Sequence, residues 1–473
     1  MNFKKLAVLV LGVFALTATQ AQKKWTLKEC VDYALENNLN VKQTGISTAL
    51  ARINYKQNFA AMFPSINGSA TQAYNYGRSI NPSTNVYSNN KFNSLQGSIS
   101  ANVVIFNGLR MQNTLQQSKM DYAAGKYDMD KIKNDIAMTT VANYLSVLYA
   151  KENLKAANDR VTVTNSQRNN IKLQVDAGTM AQGNLLDLES QVAQEEVLMV
   201  NAETSLSQAF LTLTQVMNLD SADGFDIDAP STIIPDQSTV AMDPDAIYAV
   251  AETLMPEIKG SELRNQSAEK GIAIAKGNYY PSLSAFGQFG TNVSNQLKEL
   301  NGAPVFNGYT PNGNVTASGE AVYAPDYTIN TQTTPFNTQY KNNRNQAWGI
   351  TLSVPIFNGL SARYGVARAK LNQQNINYQF ELQKQQLYKS IQQAHIDAVN
   401  TAKKYIAAQK SVTALKTSFS YTEKKLAVGL INTVDYTTIK NNLTKAESDL
   451  LQAKYELVFR IKVLDFYMGK PLM

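Results

Sequence analysis

The sequence predicts a mixed α and β membrane protein with four membrane-crossing β-strands and two hairpins of very long α-helices. Three observations carry this. One pattern occurs twice along the chain, its strand-like segments alternate at period two, and two long stretches contain no proline.

Composition narrows the field first. Of 473 residues, 17% are charged, below the roughly 25% usual for soluble proteins. One Cys excludes a disulfide framework within the chain, and one Cys with one His argues against a zinc site. No cofactor or metal is expected. At 473 residues the chain could hold about three ordinary domains. After residue 21 no run of about 18 apolar residues occurs, so no transmembrane helix is expected.

Residues 1–21 read as a secretory signal: Lys4 and Lys5, then the apolar run Leu6 to Leu16, then small Thr19 and Ala21 before the expected cut. Without Lys4 and Lys5, 42 basic residues face 37 acidic ones, a net +5 with no basic cluster. No nucleic-acid partner is expected. Cys30 follows Leu-Lys-Glu, a poor lipidation context, and is expected half-buried early in a helix.

Ile105-Phe106-Asn107-Gly108-Leu109 recurs as Ile356-Phe357-Asn358-Gly359-Leu360, an offset of 251. The same offset carries Ala177-Gly178-Thr179 onto Val428-Gly429-Leu430, and Asn184 onto Asp435. Upstream, Phe63-Pro64-Ser65-Ile66 matches Tyr280-Pro281-Ser282-Leu283 at an offset of 217. The extra residues of the second copy fall in 297–345, rich in Asn, Thr, Gly, Pro and Tyr, whose shorter counterpart is 77–91. Both are expected as loops. Residues 22–219 and 246–473 form the two copies, each ordered helix, strand, loop, strand, long helix, turn, helix. The connecting segment 220–245 has seven Asp, three Pro and no Lys or Arg.

The strands show two faces. One parity reads Ile66, Gly68, Ala70, Gln72, Tyr74, Tyr76, then Leu95, Gly97, Ile99, Ala101, Val103, Ile105. In the second copy it reads Leu283, Ala285, Phe289, Val293, then Trp348, Ile350, Leu352, Val354, Ile356. The opposite parity is Ser, Asn, Thr and Gln throughout much of its length. Period two marks strands between two different surroundings. A soluble sandwich would also alternate. Lengths of about ten residues and aromatic residues towards the segment ends favour a lipid-facing barrel. Ile99, Val103, Trp348, Ile350, Leu352 and Val354 are the expected lipid-facing residues. Four strands cannot close a barrel, and an open edge in lipid leaves unpaired backbone groups costing several kcal/mol each. An obligate oligomer follows, its number of protomers open at this point.

From Leu109 to Ala177 and from Ser361 to Val428 there is no Pro and one Gly each, so each stretch could span on the order of 100 Å as helix. Each then turns and returns. Leu185, Val192, Met199, Leu206 and Leu213 keep a seven-residue spacing, as do Tyr436, Leu443, Leu450, Leu457 and Leu464. Such seams indicate coiled-coil packing. Asn184 and Asp435 lie where a helix N-cap is expected.

A strand hairpin, a long helical hairpin and a Gly turn six residues before Asn or Asp, all twice over, resembles the TolC-like outer-membrane efflux protein family. The resemblance covers nearly the whole mature chain. It implies three protomers completing a 12-stranded β-barrel in the outer membrane of a Gram-negative bacterium, continued by an α-helical coiled-coil barrel in the periplasm. Residues 220–245 would belong to an equatorial region and 297–345 would be an extracellular loop. The implied partners are two further copies, outer-membrane lipid, a periplasmic adaptor and an inner-membrane pump. By position, Ala177, Gly178, Thr179, Val428, Gly429 and Leu430 would form adaptor-docking tip turns. Asp435 matches a carboxylate of the periplasmic aperture. The neighbouring carboxylate position is Thr438, the gate-locking Tyr and Arg positions are Leu426 and Ile431, and the first-copy partners are Gly183 and Asn184. A less charged aperture held mainly by helix packing is expected.

The implied function is a passive exit duct for small molecules, with type I protein or peptide secretion as the alternative. Two other classes compete. An enzyme is disfavoured, since His395 is isolated on a polar helical stretch, where it is expected at the surface, and no phosphate loop or nucleophile elbow appears. An adhesin would carry its barrel at one chain end, whereas these strands interrupt the helical sequence twice.

Overall fold

The computed structural model describes residues 24–80, 86–219, 224–228, 239–428 and 430–471. The expected secretory signal at 1–21 lies outside the described residues, as does much of the 220–245 connection. The elements are β1 (Lys24–Trp25), α1 (Leu27–Asn37), α2 (Leu39–Ala60), β2 (Ser65–Ile80), β3 (Tyr87–Asn107), α3 (Arg110–Asp176) and α4 (Gln182–Met217). Then come β4 (Asp226–Ile227), α5 (Pro244–Leu254), α6 (Pro256–Lys276) and β5 (Ser282–Ser294). The segment read as a loop holds β6 (Lys298–Leu300), β7 (Val305–Val315), β8 (Ala321–Thr328), β9 (Thr331–Thr333) and α7 (Phe336–Asn342). The chain finishes with β10 (Asn345–Ser353), α8 (Ser361–Ala427) and α9 (Thr433–Tyr467). It divides into two compact units.

The first unit comprises residues up to 53, 119–267 and 373 onwards. Its helices form because long Pro-free runs rich in Ala, Leu, Gln and Lys favour helix and carry apolar seams. α3 and α8, of which this unit holds the greater part, are each continuous for 67 residues. Val192, Leu213, Tyr436, Leu443, Leu457 and Leu464 of the heptad seams are buried, and the other four are half-buried. A second core gathers Cys30, Val31, Ala34, Tyr144, Leu148, Leu213 and Ile227. Cys30 is thus fully buried rather than half-buried, and burial pushes its thiol up to about 12. β1 pairs in parallel with β4, which ties the start of the described chain to the acidic connection. Lys151 Nζ fixes this pair by donating to Asp226 Oδ1 at 2.5 Å, and the Tyr144 hydroxyl donates to the Asp228 carbonyl at 2.6 Å. His395 is half-buried, its Nε2 lying 3.2 Å from the Val240 carbonyl, so it is not the surface residue expected.

The second unit, residues 54–118 and 268–372, contains an antiparallel four-stranded sheet in the order β10-β5-β3-β2. β2 and β3 run on to Ile80 and back from Tyr87, so strand replaces most of the loop expected at 77–91. Likewise, residues 297–345 fold as a β7–β8 hairpin with a short β6–β9 pair and a helix. Positive φ at Gly308, Gly313 and Gly319 supplies the bends that interrupt alternation there.

The repeated Asn-Gly-Leu motif has the same backbone twice. Gly108 and Leu109 have φ of 69° and 61°, and Gly359 and Leu360 have 60° and 63°. Two successive residues of positive φ lead into each long helix, directly after β3 in the first copy and six residues past the end of β10 in the second. The second of them is a Leu, for which the left-handed region costs roughly 1–2 kcal/mol.

Candidate functional site

The sheet separates its faces as the alternation requires. Leu95 pairs with Val293, Ile99 with Phe289, and Val103 with Ala285. Ile350 pairs with Ala285 and Leu352 with Leu283, so these apolar residues share one face. Ile99, Trp348, Ile350 and Leu352 are exposed, Trp348 by 87%, while Val103 is half-buried. Exposed apolar side chains contiguous over four strands require an apolar neighbour. At the end of β2 and β3 away from the helices, Arg78 lies over the Tyr87 ring at 5.1 Å and Lys91 over the Tyr76 ring at 5.7 Å. These pairs share the apolar parity, as an interfacial belt would.

Two strand assignments change. A β-bulge between Val104 and Phe106 leaves Ile105 unpaired and sets Phe106 opposite Leu283, so Phe106 takes over the apolar face from there. Val354 is exposed but lies past the end of β10, because Pro355 has no N–H to continue the ladder.

The opposite face is lined by hydroxyls and amides. Ser69 Oγ and Ser98 Oγ are 2.8 Å apart, and Ser94, Gln96, Ser98, Gln288, Asn292 and Ser294 border an open recess of 550 Å³.

At the helical tips, α3 ends in a Schellman turn. Gly178 N donates to Val175 O and Thr179 N to Gln174 O, both at 2.9 Å, with Gly178 at φ 72°. Ala177, Gly178 and Thr179 are exposed. In the second copy Leu430 N donates to Lys425 O at 2.9 Å, the same spacing. Val428 and Leu430 are exposed, Leu426 and Ile431 half-buried, and Gly429 lies outside the described residues.

The N-cap expectation is corrected. Asn432 caps α9, its Oδ1 accepting from Asp435 N at 2.8 Å, so exposed Asp435 stands at the third helical position. Its carboxylate is free of capping duty and sits near the positive end of the helix dipole. Asn184 is likewise third in α4, behind Ala181, which supplies no side-chain cap. Asn184 is half-buried and Thr438 exposed.

A family model for outer membrane efflux proteins matches residues 30–219 and 248–470. The chain belongs to the outer membrane efflux protein family. Its fold is similar to solved channel structures. CusC, in crystal structures of folding and transmembrane channel formation, gives a TM-score of 0.75 at 14% identity, over 94% of this chain and 92% of that one. The Campylobacter jejuni CmeC outer membrane channel gives 0.72 at 18% identity, over 94% and 85%. The open Neisseria gonorrhoeae MtrE outer membrane channel gives 0.71 at 16% identity, over 94% and 89%. No curated protein sequence matches this chain. This efflux protein is a channel of the Gram-negative outer membrane with its helical tunnel in the periplasm, and its family is one of channels rather than enzymes.

Beyond the first turn of α9, the efflux protein buries a polar layer that the sequence pattern alone did not single out. Tyr436, read as a packing residue, accepts a hydrogen bond from Gln167 Nε2 and packs against the Phe419 ring at 5.4 Å. Burial pushes its phenol up to about 12. One turn on, Lys440 Nζ donates to Thr164 Oγ1 at 2.6 Å, and burial lowers the Lys440 ammonium below the usual lysine range against the opposing pull of Glu195. Glu195, 1% exposed, faces Arg160 Nε at 3.7 Å and accepts from Gln191 Nε2 at 3.1 Å. Helix packing at this level is therefore joined by polar links from α3 to α4 and α9. The signal was present: Tyr436, Lys440 and Leu443 follow the 0, 4, 7 spacing of one helix stripe.

Proposed function

We propose that three copies of this chain close a 12-stranded barrel in the outer membrane and act as the passive exit duct of a tripartite efflux system. In this reading residues 22–219 and 246–473 are two structural repeats, joined through 220–245. The observation that carries it is the pair of sheet edges: among the described residues β2 bonds only to β3 and β10 only to β5, while both edge strands bear apolar residues on one face. Backbone groups left unpaired beside lipid are costly, so the β2 edge of one copy bonds the β10 edge of the next. The polar faces then line a watery lumen.

The exposed tip turns 177–179 and 428–430 dock a periplasmic adaptor, which links the duct to an inner-membrane pump. Three Asp435 carboxylates form a cation-favouring ring at the aperture, flanked by Asn184 and Thr438, with Leu426 and Ile431 in the place of polar gate contacts. The pump supplies the energy and selects the small-molecule cargo.

Light scattering of the mature chain in detergent, with the detergent mass subtracted, tests the assembly. A mass of three chains is expected, and a stable monomer that needs no detergent overturns the reading. Raised drug susceptibility in a strain lacking the gene is expected of an efflux duct, and unchanged susceptibility to every pump substrate tested opposes it.

A further inference from the structure

On the polar parity, β2 from Ser65 to Asn75, β3 from Phe92 to Val104, β5 from Ser282 to Ser294 and β10 from Asn345 to Ser353 carry no Asp, Glu, Lys or Arg. Where all four strands pair, the single aromatic among the described residues of that parity is Phe286. It stands opposite Asn102 of β3 and Gly349 of β10. A Cβ added to Gly349 would lie 3.1 Å from the Phe286 ring atoms Cε1 and Cζ, so the ring rests on the glycine. Even so, Phe286 remains 39% exposed. Val104, opposite Ser284 and thus diagonal to Phe286, adds an exposed aliphatic group to the same spot.

In a wall of neutral hydroxyls and amides, solutes of different charge meet similar surroundings, and apolar contact is what distinguishes one from another. Covering a glycine in a sheet is a structural task an aromatic ring performs, and here one ring edge is occupied that way. The remaining ring surface faces the polar side. We propose that Phe286, one per protomer, is a transient binding site for the aromatic rings of solutes passing through a stretch of the duct that does not sort them by charge. This rests on the reading of the polar face as lumen.

Single-channel recording of the full mature protein in planar lipid bilayers, with phenyl β-glucoside and methyl β-glucoside as probes, tests it. Both probes are neutral and share the sugar, so only the ring differs. Phenyl glucoside is expected to block the current with a residence time roughly 2- to 10-fold longer than methyl glucoside, the range of one aromatic pair contact. Phe286→Leu and Phe286→Met, which keep bulk over Gly349, are expected to abolish the difference, and Phe286→Tyr to retain it. A difference that survives both aliphatic substitutions overturns the proposal. So does a conducting native channel with no phenyl preference. A native protein that forms no aqueous channel, seen before any probe is added, overturns the lumen reading itself.

Discussion

Gly108 and Gly277 approach so closely that a Cβ on Gly108 would stand 2.5 Å from the Gly277 carbonyl oxygen. The repeat-related Gly359 has nearly the same φ but open space around its missing Cβ. The two glycines of one repeated motif therefore answer to different constraints.

Gly108→Ala combines left-handed strain with a backbone clash and is expected to destabilise on the order of 3 kcal/mol. Gly359→Ala adds strain alone, about 1 kcal/mol. Urea denaturation in detergent, followed by circular dichroism, separates them. Equal losses would refute the close-approach account.

Lys440 sets a pH dependence. Burial holds its pKa below the unfolded value of about 10.4, so the unfolded chain binds more protons between the two values. Stability from this group rises with pH through that window, and the penalty of burying the charge is fully present below it. Glu195, Arg160 and Glu423 are the charges acting on Lys440. Phenols such as Tyr436, raised by burial, act oppositely above about pH 10. The check is the difference between native protein and Lys440→Met, measured by urea denaturation from pH 7 to 10. The native chain is expected to gain relative to Lys440→Met as pH rises, and parallel curves would contradict this.

At the start of α9, capping and charge reside on different residues. Asn432→Ala is expected to destabilise by about 1 kcal/mol, seen as faster amide exchange in the first turn of α9 without a change in ion selectivity. Asp435→Asn is expected to leave exchange protection in place and to lower cation selectivity and divalent block in single-channel recordings. Unchanged selectivity would remove the acidic ring.

On the sheet, Ile350→Arg puts a charge on the apolar face and Thr351→Arg puts one on the polar face. The first is expected to cost about 2–4 kcal/mol near mid-bilayer and to reduce the yield of assembled protein. The second is expected to assemble normally and shift selectivity towards anions. A reversed result would exchange the two faces.

Much of this architecture was legible because lipid and water print opposite chemistry at period two, and a heptad seam prints at period seven. Leu95, Ile99, Ile350 and Leu352 fell on one face for that reason, and the cross-strand pairs agree. A bulge adds one residue without disturbing the apolar run Val103-Val104-Ile105-Phe106, so the switch from Ile105 to Phe106 left no mark. Asn432 and Asp435 are both cap-forming types one turn apart, and only geometry decides between them. Strands β7 and β8 escaped because Pro311 and the glycines break their alternation. Lys440 was overlooked because a lysine is expected in water, although its spacing placed it on the buried stripe.

The central claim is that one face of the β3 strand meets lipid and the other meets water. Cys30 is the sole native cysteine and is fully buried, so introduced thiols can be read against a silent background. Labelling of Ser98→Cys, Ile99→Cys and Ser100→Cys by a membrane-impermeant maleimide in outer-membrane vesicles tests the claim most directly. Rapid labelling at 98 and 100 with protection at 99 is the expected result, and equal labelling of all three, or protection of 98 and 100, would contradict the account.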